Sequence, residues 1–273
     1  LLCAIINQKI APQSLIASMP TILALDFDGV ICDGLIEYFE TAWRTYCQIW
    51  SHSSKTPPDL ADIFYRLRPV IETGWEMPVL IRALLLDIPE AKIWQEWGTI
   101  AQQLLAEAGL IAADIGKKLD QIRDEWINTD LDDWLSLHRF YPGVVEKVRE
   151  LVTSPVQPVI ITTKEGRFVS QLLQQQGVNM PDEWIIGKES KRPKHQVIRE
   201  VMTAEDEPRS LWFVEDRIKT LHLVQQQLDL DAVKLYLADW GYNTASERES
   251  ADNDPRIQLL SRSQFVQDLS DWP

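Results

Sequence analysis

Two kinds of hydrophobic pattern alternate along this chain. Short, unbroken aliphatic runs at residues 22–25, 158–162, 184–186, 210–214, 232–237 and 257–260 read as buried strands. Helical periodicity separates the later ones, over 144–152, 167–177, 194–202 and 218–228, with a polar loop after 237 and a last helix over 264–269. Strand and helix alternating at this spacing predict βαβ units and a parallel sheet covered on both faces. Residues 35–139 differ, because no convincing strand interrupts a series of amphipathic helical segments over 35–50, from an Asp59 cap to about 72, and over 75–86, 90–108 and 111–134. Thr73-Gly74, Pro89, Gly98 and Gly109 punctuate that series. The expected fold is α/β: a Rossmann-like parallel sheet core, residues 19–34 and 141–273, with an all-helical domain inserted at 35–140.

Residues 1–18 contain a single basic residue and lack the long apolar core of a secretory signal, so they read as an N-terminal tail. Met19, directly before the first strand, is the expected native start. At 273 residues the chain can bury a sizeable core, and 45% apolar with 25% charged residues is ordinary globular composition. A formal net charge of -14 argues against nucleic acid or an anionic membrane as partner. It leaves room for an anionic small molecule where the local site is cationic. Cys3, Cys32 and Cys47 have no paired spacing and read as reduced intracellular thiols, and the four histidines show no zinc-ligand spacing. No apolar run approaches membrane-spanning length, so a cytoplasmic chain is expected.

The chemistry gathers at strand ends. The first run leads into Asp26-Phe27-Asp28-Gly29, where residues two apart face the same side and Gly29 permits a sharp turn. Two carboxylates crowded together repel each other unless a cation or a shared proton intervenes. The run at 159–161 ends in Thr162-Thr163-Lys164, a hydroxyl followed by free backbone N–H groups that suit phosphate oxygens. Lys191-Arg192-Pro193-Lys194 precedes a helix. The run at 211–214 ends in Glu215-Asp216, hard oxygen ligands suited to Mg2+.

Taken in order, these stretches resemble the four motifs of the haloacid dehalogenase superfamily, in its helical-cap phosphatase branch. TILALDFDGVICDG is similar to the first motif, with Asp33 at its closing acidic position, and VEDR to the fourth. The resemblance implies a phosphatase using Mg2+, with residues 35–140 as a cap domain. Asp26 would be the nucleophile and a metal ligand, and Asp28 the proton donor and, through its backbone carbonyl, a second ligand. Asp216 would be a direct ligand with Glu215 beside it, and Thr162 and Lys194 would hold the phosphoryl oxygens, with Lys191 as the alternative lysine. Gly29, Thr163 and Arg68 are expected to touch substrate.

The superfamily's dehalogenases lack the second aspartate, so Asp28 points to phosphotransfer through an aspartyl-phosphate on a small phosphorylated metabolite. The alternatives are a sugar phosphomutase of the beta-phosphoglucomutase type and a non-catalytic binding scaffold. Specificity residues are expected in the cap around the Thr73-Gly74 break, among Arg66, Arg68, Glu72, Trp75, Glu76 and Arg82.

Overall fold

The computed structural model of the chain describes residues 19–51, 55–203 and 209–273. The expected tail over 1–18 lies outside the described residues. The fold is α/β, built on a six-stranded, wholly parallel sheet. Its strands are β1 (Ile22–Leu25), β4 (Gln157–Ile161), β5 (Ile185–Ile186), β6 (Leu211–Glu215), β7 (Lys234–Ala238) and β8 (Ile257–Leu260), in the order β5-β4-β1-β6-β7-β8. Strand β1 is central and fully buried, and pairs Leu25 with Ile160 on one side and with Val214 on the other. After β5 the chain crosses to the far side of β1, which makes the carboxyl ends of β4, β1 and β6 a topological switch point.

Helices α7 (Val144–Val152), α8 (Gly166–Gln175), α9 (Lys194–Thr203) and α10 (Ile218–Gln225) connect the strands. The aliphatic side chains of the strands fill two cores on opposite faces of the sheet, one around Leu23, Leu25 and Trp212, the other around Ile22, Ala24 and Phe213.

The helical region between β1 and β4 contains α1 (Leu35–Ile49), α2 (Leu60–Leu67), α3 (Glu76–Leu85), α4 (Glu90–Ala108), α5 (Ala112–Thr129) and α6 (Leu131–Ser136). Phe39, Phe64, Leu80 and Trp97 belong to a core of its own, whereas Trp126 and Trp134 pack into the sheet's core. Among the described residues no helix is long and apolar enough to cross a membrane.

Four local expectations need correction. The helix expected over 111–134 breaks at Asp130, whose side chain accepts from Asp133 N at 3.1 Å and restarts the chain as α6. Asp59 does not cap α2 through its side chain; it sits in the left-handed region with φ 64°. A short antiparallel pair, β2 (Cys32–Asp33) against β3 (Arg139–Phe140), brings together the two ends of the helical region. The polar loop after 237 contains a helix, α11 (Ala245–Asp252), which buries only Ala251. No hydrophobic face announces it. It starts on a capping box, with Thr244 Oγ1 accepting from Glu247 N and a Glu247 carboxylate oxygen accepting from Thr244 N. The last helix, expected over 264–269, is α12 (Arg262–Phe265), and a 3-10 turn follows at Leu269–Asp271.

Candidate active site

Where β1 ends, the backbone of residues 26–32 closes a tight loop. Phe27 O accepts from Ile31 N and Cys32 N, both at 2.9 Å, and Gly29 N donates to Cys32 O at 2.8 Å. Gly29 has φ 89°, and a Cβ there would stand 2.2 Å from Asp216 Oδ2. Gly241 approaches the same side chain, because its Cβ would lie 2.2 Å from Asp216 Cβ. Two glycines from separate segments thus leave room for one buried carboxylate.

Asp26, Glu215 and Asp216 are buried, and each has a carboxylate oxygen within 4.8 Å of the others. Lys194, the first residue of α9, places Nζ 2.8 Å from Asp26 Oδ1 and 2.7 Å from Glu215 Oε2. Burial and the neighbouring Glu215 charge raise the Asp26 carboxyl to about 7, against the pull of Lys194. Burial and Asp26 raise Asp216 to about 6. Burial also works against the Lys194 ammonium, but the charges of Asp26 and Glu215 outweigh it and hold that group above its ordinary value.

The hydrogen-bond inventory separates the three acids. Glu215 is fully engaged, with Oε2 on Lys194 and Oε1 accepting from Asp216 N at 3.2 Å and Arg217 N at 3.1 Å. Among the described residues, Asp216 Oδ2 accepts the Tyr242 amide, at 2.7 Å, and Asp26 Oδ1 has no aligned hydrogen bond although Lys194 is close. Asp26 and Asp216 therefore offer spare oxygens from adjacent strands, an all-oxygen donor set that fits a hard divalent cation such as Mg2+. Glu215 fits the part of a buried anchor for Lys194.

Thr162 is buried just beyond β4, with its Oγ1 accepting from Lys164 N at 3.1 Å. Lys164 Nζ lies 3.2 Å from Asp28 Oδ1. Asp28, Thr163 and Lys164 line a cavity of about 340 Å³ between the strand ends and the helical region. Its other walls include Arg68, Arg123, Lys188, Glu37 and Asp120. Lys164, Arg123 and Lys188 are each paired with an acid of the same lining, Asp28, Glu37 and Asp120 respectively.

Of the expected helical-region residues Glu72 and Arg68 line this space, beside the Thr73-Gly74 break, and Arg68 is the cation of the two. Its guanidinium lies over the rings of Tyr242 and Tyr38, at 4.5 Å and 5.1 Å, and it donates to Ile71 O. Among the described residues it has no carboxylate at ion-pair distance.

The expected residues are otherwise held by contacts of their own. Arg66 pairs with Glu90 on the exposed surface, and Arg82 lies over Trp50. Glu76 caps the turn at Glu72 N and Thr73 N, Trp75 immediately precedes α3, and Glu72 meets Arg217 and Lys219. Lys191 is exposed in a turn with φ 54°, away from the acids that Lys194 joins.

Sequence reasoning missed Glu37, Arg123 and Trp134. Glu37 is fully buried and accepts from Arg123 Nε at 2.7 Å, Trp134 Nε1 at 3.2 Å and Thr41 Oγ1 at 2.7 Å. Burial pushes its carboxyl up, but Arg123 overrides this and brings it to about 2. A glutamate in the first turn of an amphipathic helix looks solvated from sequence alone. Its partner lies 86 residues away.

No family model matches the chain. A curated phosphoglycolate phosphatase from Pseudomonas fluorescens is 27% identical over 174 residues, 60% of this chain and 61% of that protein. The chain thus spans about three fifths of the length of that relative. Among solved structures, a Bacteroides fragilis protein classed as a haloacid dehalogenase-like hydrolase aligns with TM-score 0.54 at 17% identity, covering 90% of this chain and all (100%) of the other. A Lactobacillus delbrueckii protein classed as a phosphoglycolate phosphatase aligns with TM-score 0.55 at 13% identity, covering 91% of this chain and 97% of the other.

Proposed function

We propose that this chain, whose fold and strand-end motifs are those of the haloacid dehalogenase superfamily, is a Mg2+-dependent phosphatase of small phosphorylated metabolites. The observation carrying this reading is the cluster of Asp26, Asp216 and Glu215, with Lys194 on Asp26 and Glu215, at the carboxyl ends of adjacent parallel strands. Bound between Asp26, Asp216 and the Asp28 carbonyl, Mg2+ would offset the repulsion between carboxylates and a phosphoryl group.

Asp26 is the nucleophile. It attacks phosphorus in line, the ester oxygen leaves, and an aspartyl-phosphate forms. Asp28, beside Lys164, gives a proton to the departing alkoxide and later takes one from the water that hydrolyses the acyl phosphate. Lys194 sits where it neutralises Asp26 and the incoming phosphoryl oxygens. Thr162 Oγ1 and the backbone amides after β4 supply hydrogen bonds to them.

In this reading residues 35–140 act as a cap that shields the cavity from bulk water. Arg68 faces the cavity with no carboxylate at ion-pair distance among the described residues, which favours a substrate carrying a second anionic group. The phosphoglycolate in the relative's name has that chemistry.

The test is hydrolysis of p-nitrophenyl phosphate with Mg2+, with EDTA, and in Asp26→Asn. Turnover that needs the metal and disappears in the variant is expected. Equal turnover in all three would refute the assignment.

A further inference from the structure

Arg217 follows Asp216 directly, yet its side chain belongs to a different job. Its guanidinium donates through Nη1 to Pro69 O at 3.2 Å and to Tyr242 O, while Nη2 lies 3.3 Å from Glu72 Oε1. Lys219 adds a second cation to the same Glu72 oxygen at 2.8 Å. The segment so gripped, residues 68–72, carries Arg68. Tyr242 completes the circuit, because its amide holds Asp216, its carbonyl accepts from Arg217 and its ring lies under Arg68.

We infer that Arg217 is a positioning residue. It latches the 68–72 segment of the helical region onto the strand end that bears Asp216, and thereby aims Arg68 at the cavity. The Arg217 side chain is 17% exposed, so its bonds act in a partly desolvated setting and outweigh those of the 68% exposed Lys219. An isolated surface ion pair would need neither the Pro69 carbonyl nor the Tyr242 carbonyl. Here one planar guanidinium spans three partners on two parts of the chain, a geometry that lysine cannot reproduce.

The consequence for recognition rests on the phosphatase reading; the latch itself does not. Backbone amide exchange across 68–74 is therefore compared in wild type, Arg217→Gln and Glu72→Gln, with strand 211–215 as the internal reference. Exchange about tenfold faster in 68–74, with the reference strand unchanged, is expected of both variants. Unchanged exchange in 68–74 overturns the latch. Glu72→Gln alters a partly exposed loop residue and guards against a folding defect in the other variant.

Kinetics then test the aiming of Arg68. Arg217→Gln should raise KM for phosphoglycolate about tenfold, the loss of one charge-assisted contact, with kcat and the Mg2+ requirement close to wild type. Turnover of p-nitrophenyl phosphate should change less than about twofold, and Arg217→Lys should restore part of the loss. Adding Arg217→Gln to Arg68→Ala should cost nothing further, since both remove the same contact. Losses that multiply in the double variant, or fall equally on both esters, overturn the assignment. If wild type hydrolyses neither ester, or only p-nitrophenyl phosphate, amide exchange alone decides the latch; turnover of neither counts against the phosphatase reading.

Discussion

Burial and a neighbouring acid, Glu215 for Asp26 and Asp26 for Asp216, work against the charged form of both carboxyls and raise them above their ordinary values. On the proposed mechanism Asp26→Asn should lower turnover by more than ~10³-fold, because the attacking carboxylate is lost while its neighbours stay in place. A circular-dichroism melt alongside the assay separates this from unfolding. Gly29→Ala should act differently. Its Cβ would stand 2.2 Å from Asp216 Oδ2 at φ 89°, so the loop must shift and stability should fall by about 2 kcal/mol or more in urea titration. The paired acids were legible because each follows an unbroken apolar run that must stop at a sheet edge. Lys194 and Lys191 could not be separated that way: both precede one helix in one basic run, and only the packed structure shows which Nζ lies between Asp26 and Glu215.

At the scale of elements, Glu37 ties α1 to α5 through Arg123 and to α6 through Trp134. Its carboxyl titrates near about 2 in the fold against an ordinary 4.5. A folded value below the unfolded one means stability that is present above about pH 4.5 and lost as pH falls toward 2, worth about 3 kcal/mol. Glu37→Gln should therefore lower unfolding stability by ~3 kcal/mol at pH 7, leaving the Arg123 charge with only the half-exposed Asp120 carboxylate, at 3.7 Å. The gap between variant and wild type should narrow as the urea titration is repeated from pH 5 down to pH 3; a constant gap would contradict the assigned ion pair. Most elements were readable from periodicity, since burial on one face dictates them. The exceptions have other causes: α11 rests on a capping box, α6 on the Asp130 side chain, and the β2 and β3 strands on a pairing across more than a hundred residues.

For the whole molecule, the run of helices after residue 34 was legible from the change of periodicity there. The side that it turns toward the sheet was not, because that depends on contacts such as Lys188 with Asp120 and Arg217 with Glu72 that no local pattern encodes. Those contacts close the insertion over strand ends where two parallel strands deliver acids to one point. A cation there would bind side chains from β1 and β6 only when both strands are folded and adjacent, so its binding energy adds to global stability. Mg2+ at about a hundred times its dissociation constant should contribute ~2.7 kcal/mol and raise Tm by about 5–10 °C for a chain of this size. EDTA should reverse the rise. Asp216→Asn should abolish it, because Asp26 alone cannot supply the donor set, whereas Lys191→Ala, at an exposed turn, should leave it intact. A Tm that does not respond to Mg2+ in wild type would remove the metal from the proposed mechanism, and a response retained in Asp216→Asn would move the site elsewhere.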